Sequence, residues 1–131
     1  MADKFSFLAS PKTFALLGCL FGFLSVAAGS FGAHALKAKI SQDLLAAFEI
    51  GVRYQMYHAL GLLGVAWALD KYSNGWIQTA GSSFTIGVLI FSGSLYFLAL
   101  SGNKMWGAVT PIGGLFLLAG WLLLGIGIIK A

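Results

Sequence analysis

Four long apolar stretches divide the chain, each closed by a short polar or charged cluster. Residues 13–35 contain no Lys, Arg, Asp or Glu, follow Ser10-Pro11 and stop at Leu36-Lys37-Ala38-Lys39, the way a bilayer span is bounded at its interface. A second helix is predicted to start with Ser41 as N-cap and Asp43 in its first turn, and it meets no Pro before Asp70-Lys71. It is too long for one simple span. In its first part Leu44, Leu45, Phe48 and Val52 share a side opposite Asp43 and Glu49, so residues 42–52 are expected to lie in the interface before the helix turns inward. Ser73-Asn74-Gly75 reads as a turn and Trp76 as an interfacial anchor, after which no charge appears until Lys104. The last apolar stretch opens at Trp106 and carries Pro111 near its start, where a missing N–H is tolerated. The pattern thus predicts an all-α fold of the polytopic membrane class. It is a bundle of four transmembrane helices, at about 13–36, 42–69, 76–100 and 105–129, in a single membrane domain spanning residues 1–131.

Composition sharpens this. The 131 residues are 59% hydrophobic and only 9% charged, whereas a soluble domain carries about a quarter charged residues. Spans of about 20 apolar residues leave no room for a separate soluble domain. The net charge of +4 comes from Lys and Arg at the ends of the apolar stretches, a placement that fits lipid headgroups and not nucleic acid. Lys4, Lys12, the apolar run and Ala33-His34-Ala35 imitate a secretory signal, but the run exceeds the usual core of about 7 to 15 residues and is expected to be a retained first span. Four spans place both termini on one face, side B, with Lys4, Lys12, Lys71 and Lys130, and leave Lys37, Lys39, Arg53 and Lys104 on side A. That balance does not set the orientation.

Within the apolar stretches the polar and small residues fall into stripes. At about 100° per residue, Gly18, Gly22, Ser25, Gly29 and Gly32 lie within an arc of about 80°, a helix-packing surface that suits either a neighbouring helix of the same chain or a dimer seam. Arg53, Tyr54, Tyr57, His58, Gly61, Gly64 and Ala68 share about 140° of the second helix, a face expected to point into the bundle. Gln78, Gly81, Thr85, Ser92, Tyr96 and Ala99 form the matching stripe on the third. Chain direction brings Arg53, Tyr57 and His58 level with Ser92 and Tyr96. His34 and Thr110-Pro111 end and begin their helices on the same side. The resulting pocket on side A comprises His34, Glu49, Arg53, Tyr54, Tyr57, His58, Ser92, Tyr96 and Thr110.

The chemistry of these residues points to binding. Glu49 and Arg53 stand at i, i+4 in the favourable order for a helical ion pair. His34 and His58 invite a haem or metal reading, but they differ in depth by about 7 Å at 1.5 Å per residue, and no thiolate or carboxylate cluster completes a shell. No cofactor and no metal are expected. Cys19 reads as a small apolar helix residue. There is no phosphate-binding glycine loop, HExxH, GxSxG or facing pair of acids, so no catalytic residue is assigned.

The chain resembles a known family, the small membrane proteins of bacterial YgdD and YwdK type and eukaryotic transmembrane protein 256, grouped as domain of unknown function 423. The resemblance is carried by Gly29-Ser30-Phe31-Gly32-Ala33-His34-Ala35-Leu36-Lys37, by Phe48-Glu49-Ile50-Gly51-Val52-Arg53-Tyr54-Gln55-Met56-Tyr57-His58-Ala59-Leu60, by Phe91-Ser92-Gly93-Ser94-Leu95-Tyr96 and by Thr110-Pro111-Ile112-Gly113-Gly114. It implies four spans in the bacterial cytoplasmic (inner) membrane, or the mitochondrial inner membrane in a eukaryote, with the termini in the cytoplasm, and no settled activity. The expected function is that of a non-enzymatic binding or accessory subunit, taking a lipid, a small amphipathic molecule or a protein partner at the side-A pocket. The expected partners are membrane lipids and a homo-oligomer or larger membrane complex. The alternative is a small oligomeric transporter or channel, and the third reading is a membrane enzyme using Arg53 and His58.

Overall fold

The computed structural model describes residues 7–131; Lys4, one of the side-B charges, lies outside them. The described chain is helical, with four long helices: α1 Pro11–His34, α2 Gln42–Tyr72, α3 Gly75–Ser101 and α4 Thr110–Ile129. Short 3-10 turns, Leu36–Ala38 and Lys104–Ala108, link α1 to α2 and α3 to α4. Each of the first three helices starts on a side-chain cap. Ser10 accepts from the Thr13 N–H, Ser41 from Leu44 and Asn74 from Ile77, filling one of the donors that a helix start leaves open. Ser73 and Gly102, both at positive φ, end α2 and α3.

One boundary differs from the pattern-based expectation. The fourth helix does not run from residue 105, because Pro111 has no N–H to give and its ring would press on the carbonyl four residues back. The chain therefore makes a 3-10 turn over Lys104–Ala108 and starts α4 with Pro111 in its first turn. Residues 42–52 belong to the helix predicted to start at Ser41. They are the first third of one unbroken helix, with Phe48 buried and Leu45, Val52 and Tyr96 packed around it, Leu36 and Ala99.

Helices α2 and α3 form the middle of the molecule. Each buries eleven residues, against five on α1 and four on α4, so the outer two helices leave most of their surface uncovered by protein. The main core joins Phe14 and Phe21 of α1, Leu62 and Val65 of α2, Ile77 and Phe84 of α3 and Leu117 of α4. The stripe on α1 faces α2: a Cβ at Gly18 would stand 2.8 Å from the Ala59 carbonyl oxygen, and one at Gly32 would stand 3.0 Å from the Phe48 ring. These helices of one chain meet at backbone distance.

The α3–α4 seam uses a different device. Gly113, Gly120 and Gly127 recur every seven residues and lie against Phe91, Phe84 and Ile77, which recur every seven in the opposite direction. A Cβ on any of the three would overlap its partner, the Phe84 and Ile77 side chains at Gly120 and Gly127 and the Phe91 backbone at Gly113, a small-residue version of heptad packing. Three hydrogen bonds tie the same seam from end to end: Asn74 Nδ2 to the Gly127 oxygen (2.9 Å), Ser83 Oγ to the Phe116 oxygen (2.6 Å), and Ser94 Oγ with Thr110 Oγ1 (2.6 Å).

Three helical stretches, Pro11–Ala38, Gly75–Ser101 and Lys104–Ile129, are long and apolar enough to cross a membrane. Helix α2, at 31 residues, is the longest, but Asp43, Glu49, Arg53, Gln55 and His58 make it more polar than the other three. The described fold is thus a helical bundle with three such stretches and a fourth helix inside it.

Candidate ligand-binding groove

The glycine seam pulls α4 tightly onto α3 and so leaves it diverging from α2. The result is a groove of about 610 Å³ between α2 and α4, within the range of small-molecule sites, about 300–1,000 Å³. Tyr54, Tyr57 and His58 form the α2 wall, Phe91 of α3 lies at the back, and Pro111, Gly114, Leu115, Leu117, Leu118 and Trp121 form the α4 wall. The groove opens sideways, past Tyr57, Leu115 and Leu118, which are 53%, 68% and 64% exposed.

Aromatic contacts fix the walls. Tyr54 stacks on Phe91 at 4.6 Å, and His58 meets the edge of Phe84 at 5.2 Å and tilts against Trp121 at 5.8 Å. At the deep end Trp121 Nε1 donates to His58 Nε2 (3.0 Å), while His58 Nδ1 lies 2.6 Å from the Tyr54 carbonyl oxygen. An indole N–H only donates and a carbonyl only accepts. The His58 proton therefore sits on Nδ1, and both ring nitrogens are engaged in a neutral imidazole. This bond is a polar tie between α2 and α4, and it forms the floor of the groove.

The nine residues expected to share one pocket are dispersed. Tyr54, Tyr57 and His58 line the groove. Ser92 and Tyr96 lie outside the groove, on the neighbouring face of α2, where Ser92 Oγ donates to the Gly51 oxygen (2.6 Å) and Tyr96 OH to Gln55 Oε1 (2.7 Å). Thr110 bonds Ser94 in the α3–α4 seam. Glu49, Arg53 and His34 are exposed. The face of α2 expected to point inward is thus corrected. Its buried side is centred on Gly51, Gln55, His58, Leu62 and Leu69, about 110° around the helix from the expected arc at 100° per residue. Arg53, Tyr54, Tyr57 and Gly64 are exposed, while His58, Gly61 and Ala68 of the expected arc are buried as expected.

Gln55 is the residue that pattern reading missed. Only 6% exposed, it accepts from Tyr96 of α3 and donates through Nε2 to the Phe21 carbonyl of α1 (3.0 Å), which also accepts from Ser25 Oγ (2.7 Å). One amide thereby links three helices. The available signal was its spacing: Gly51, Gln55, Ala59 and Leu62 follow i, i+4, i+8, i+11, a helix face in their own right. The sockets Gly113, Gly120 and Gly127 were likewise legible as a sevenfold repeat.

A bundle of apolar helices with polar groups bonded internally and a groove opening sideways defines an α-helical integral membrane protein. The chain belongs to the protein family of unknown function DUF423, whose model matches residues 28–114. It is 46% identical to a UPF0382 membrane protein of Staphylococcus haemolyticus over 91% of this chain and 97% of the relative. To the UPF0382 membrane protein YwdK of Bacillus subtilis it is 42% identical over 91% and 98%. To the UPF0382 inner membrane protein YgdD of Escherichia coli K12 it is 38% identical over 88% of each. No solved structure matches the chain.

Proposed function

We propose that this protein crosses the membrane four times and holds a small amphipathic molecule of the bilayer, without converting it, in the groove between α2 and α4. The observation that carries the reading is the groove itself, aromatic and aliphatic on every wall and opening toward the space that lipid occupies around a membrane bundle. A fourth span is supported by the company α2 keeps. It lies along α1 from Phe48 under Gly32 to Ala59 against Gly18, and along α3 from Gly51 at Ser92 to the Ser73-Asn74 turn. Its polar Gln55 and His58 spend their hydrogen bonds inside the protein, which lets a helix of modest hydropathy sit at membrane depth.

Transport, the alternative, calls for a path across the bundle, whereas this cavity opens sideways. The inner membrane is the proposed location, by analogy with YgdD. The test is native mass measurement of protein extracted in mild detergent. The parent should carry one small molecule per chain, and Leu118→Trp, which fills the groove from its exposed rim, should carry none. A parent that retains nothing would sink the binding role.

A further inference from the structure

The shape of the groove narrows the class of its occupant; the step rests on the binding role proposed above. Along α4 the groove runs from Pro111 to Trp121, ten residues and so about 15 Å at 1.5 Å per residue. That is half of the roughly 30 Å hydrocarbon core, the depth of one leaflet. Pro111 stands in the first turn of α4, and the His58–Trp121 bond closes the other end. The slot lies along the helix, parallel to the chains of surrounding lipid. It is one leaflet long and lined mostly by aromatic and aliphatic side chains, with Gly114 in place of a side chain on its α4 wall.

Its outer end is different. Tyr54, one turn outward of His58, belongs to the wall, and Arg53 beside it is exposed. Lys104 is exposed in the turn that leads into α4. Glu49, also exposed, lies one turn farther out than Arg53, so that the guanidinium stands between the carboxylate and the groove. Phenol and guanidinium donors above an apolar slot match a phosphate above a hydrocarbon tail.

We infer that the groove takes one acyl chain of an anionic phospholipid from the side-A leaflet, with the chain's methyl end at Trp121 and its phosphate at the level of Arg53. The lipid enters sideways between α2 and α4, past Leu115 and Leu118. A tail longer than one leaflet, as in an isoprenoid, meets the His58–Trp121 floor.

The experiment uses the full chain in nanodiscs of equal parts phosphatidylcholine and phosphatidylglycerol, released into mild detergent for native mass analysis. The parent should keep one phospholipid per chain and favour phosphatidylglycerol. Gly114→Leu should lose it: a Cβ at Gly114 meets only the Phe91 ring, at 3.9 Å, so the substitution fills the slot and spares the seam. Gly125→Leu, on the same helix where a Cβ meets nothing within 4 Å, should keep it. Arg53→Gln should still hold a phospholipid, with the preference for phosphatidylglycerol reduced about fivefold, the effect of one basic side chain at a charged surface. If the parent brings a different molecule from the cell and takes no phospholipid from the nanodisc, this inference falls and the binding role stands. Equal retention of both lipids by the parent overturns the anionic assignment, and retention by Gly114→Leu overturns the slot.

Discussion

Gln55 shows how a single polar side chain is kept in a membrane bundle. Its amide oxygen takes the Tyr96 hydroxyl, and its amide nitrogen serves the Phe21 carbonyl. Removing one partner strands the other, at about 1–3 kcal/mol for a buried group. Interhelical bonds in membranes average only about 0.6 kcal/mol when cycled. Tyr96→Phe should therefore lower stability by about 1 kcal/mol. Gln55→Leu should cost more, because it leaves the Tyr96 hydroxyl unbonded, although Phe21 keeps Ser25. The double variant should recover part of the loss; denaturant titration in detergent reads this, and strict additivity would remove the linked pair from the account. Glu49 and Arg53 behave differently. Both are exposed, so Glu49→Gln, Arg53→Gln and the double variant should each stay within about 1 kcal/mol of the parent in the same titration.

The helices depend on contacts that a single methyl group can test. At Gly113 an added Cβ would overlap the Phe91 backbone, while at Gly125 it would meet open space. Gly113→Ala should then sharply reduce folded yield and detergent melting temperature, whereas Gly125→Ala should leave both unchanged. On α1 the same contrast holds within one stripe. Gly18→Ala pushes on the Ala59 carbonyl at 2.8 Å, and Gly22→Ala reaches the Ala59 methyl only at 3.9 Å, so the first should destabilise and the second should be tolerated. Equal melting temperatures for the members of either pair would mean that the helices do not approach as closely as these sockets require. Where the first helix touches was visible in sequence as a run of small residues, but which of its glycines carries backbone contact was not. That depends on the height at which the partner's atoms arrive.

At the scale of the whole molecule, α2 decides the topology. If it crosses, Asp43 and Asp70 at its two ends lie on opposite faces of the membrane. In a background where Cys19, which is exposed on α1, is replaced by Ser, Asp43→Cys and Asp70→Cys should react with an impermeant thiol reagent from opposite sides. Labelling of both from one side would return the count to three spans. Both termini should report one compartment in fusions at either end. The 31 residues of α2, about 46 Å at 1.5 Å per residue, exceed the hydrocarbon core by several turns, so a crossing α2 would carry Asp43 and Glu49 out among the headgroups.

Composition and periodicity determined much of this protein by themselves. The apolar stretches, the cap at Ser41 and the turn at Ser73-Asn74-Gly75 follow from local rules, because a helix start needs an acceptor and a bilayer needs apolar length. Family membership was equally legible, in short polar words set at fixed intervals among apolar residues. Which side of α2 faces the protein was decided only by the tertiary structure. His58 satisfies both the expected arc and the real one, and the choice between Arg53 and Gln55 rests on where α1 and α3 place the Phe21 carbonyl and the Tyr96 hydroxyl. The groove is tertiary for the same reason. It exists because three glycine sockets draw α4 onto α3 and away from α2, and a gap between two helices is a property of their separation, which neither sequence encodes alone.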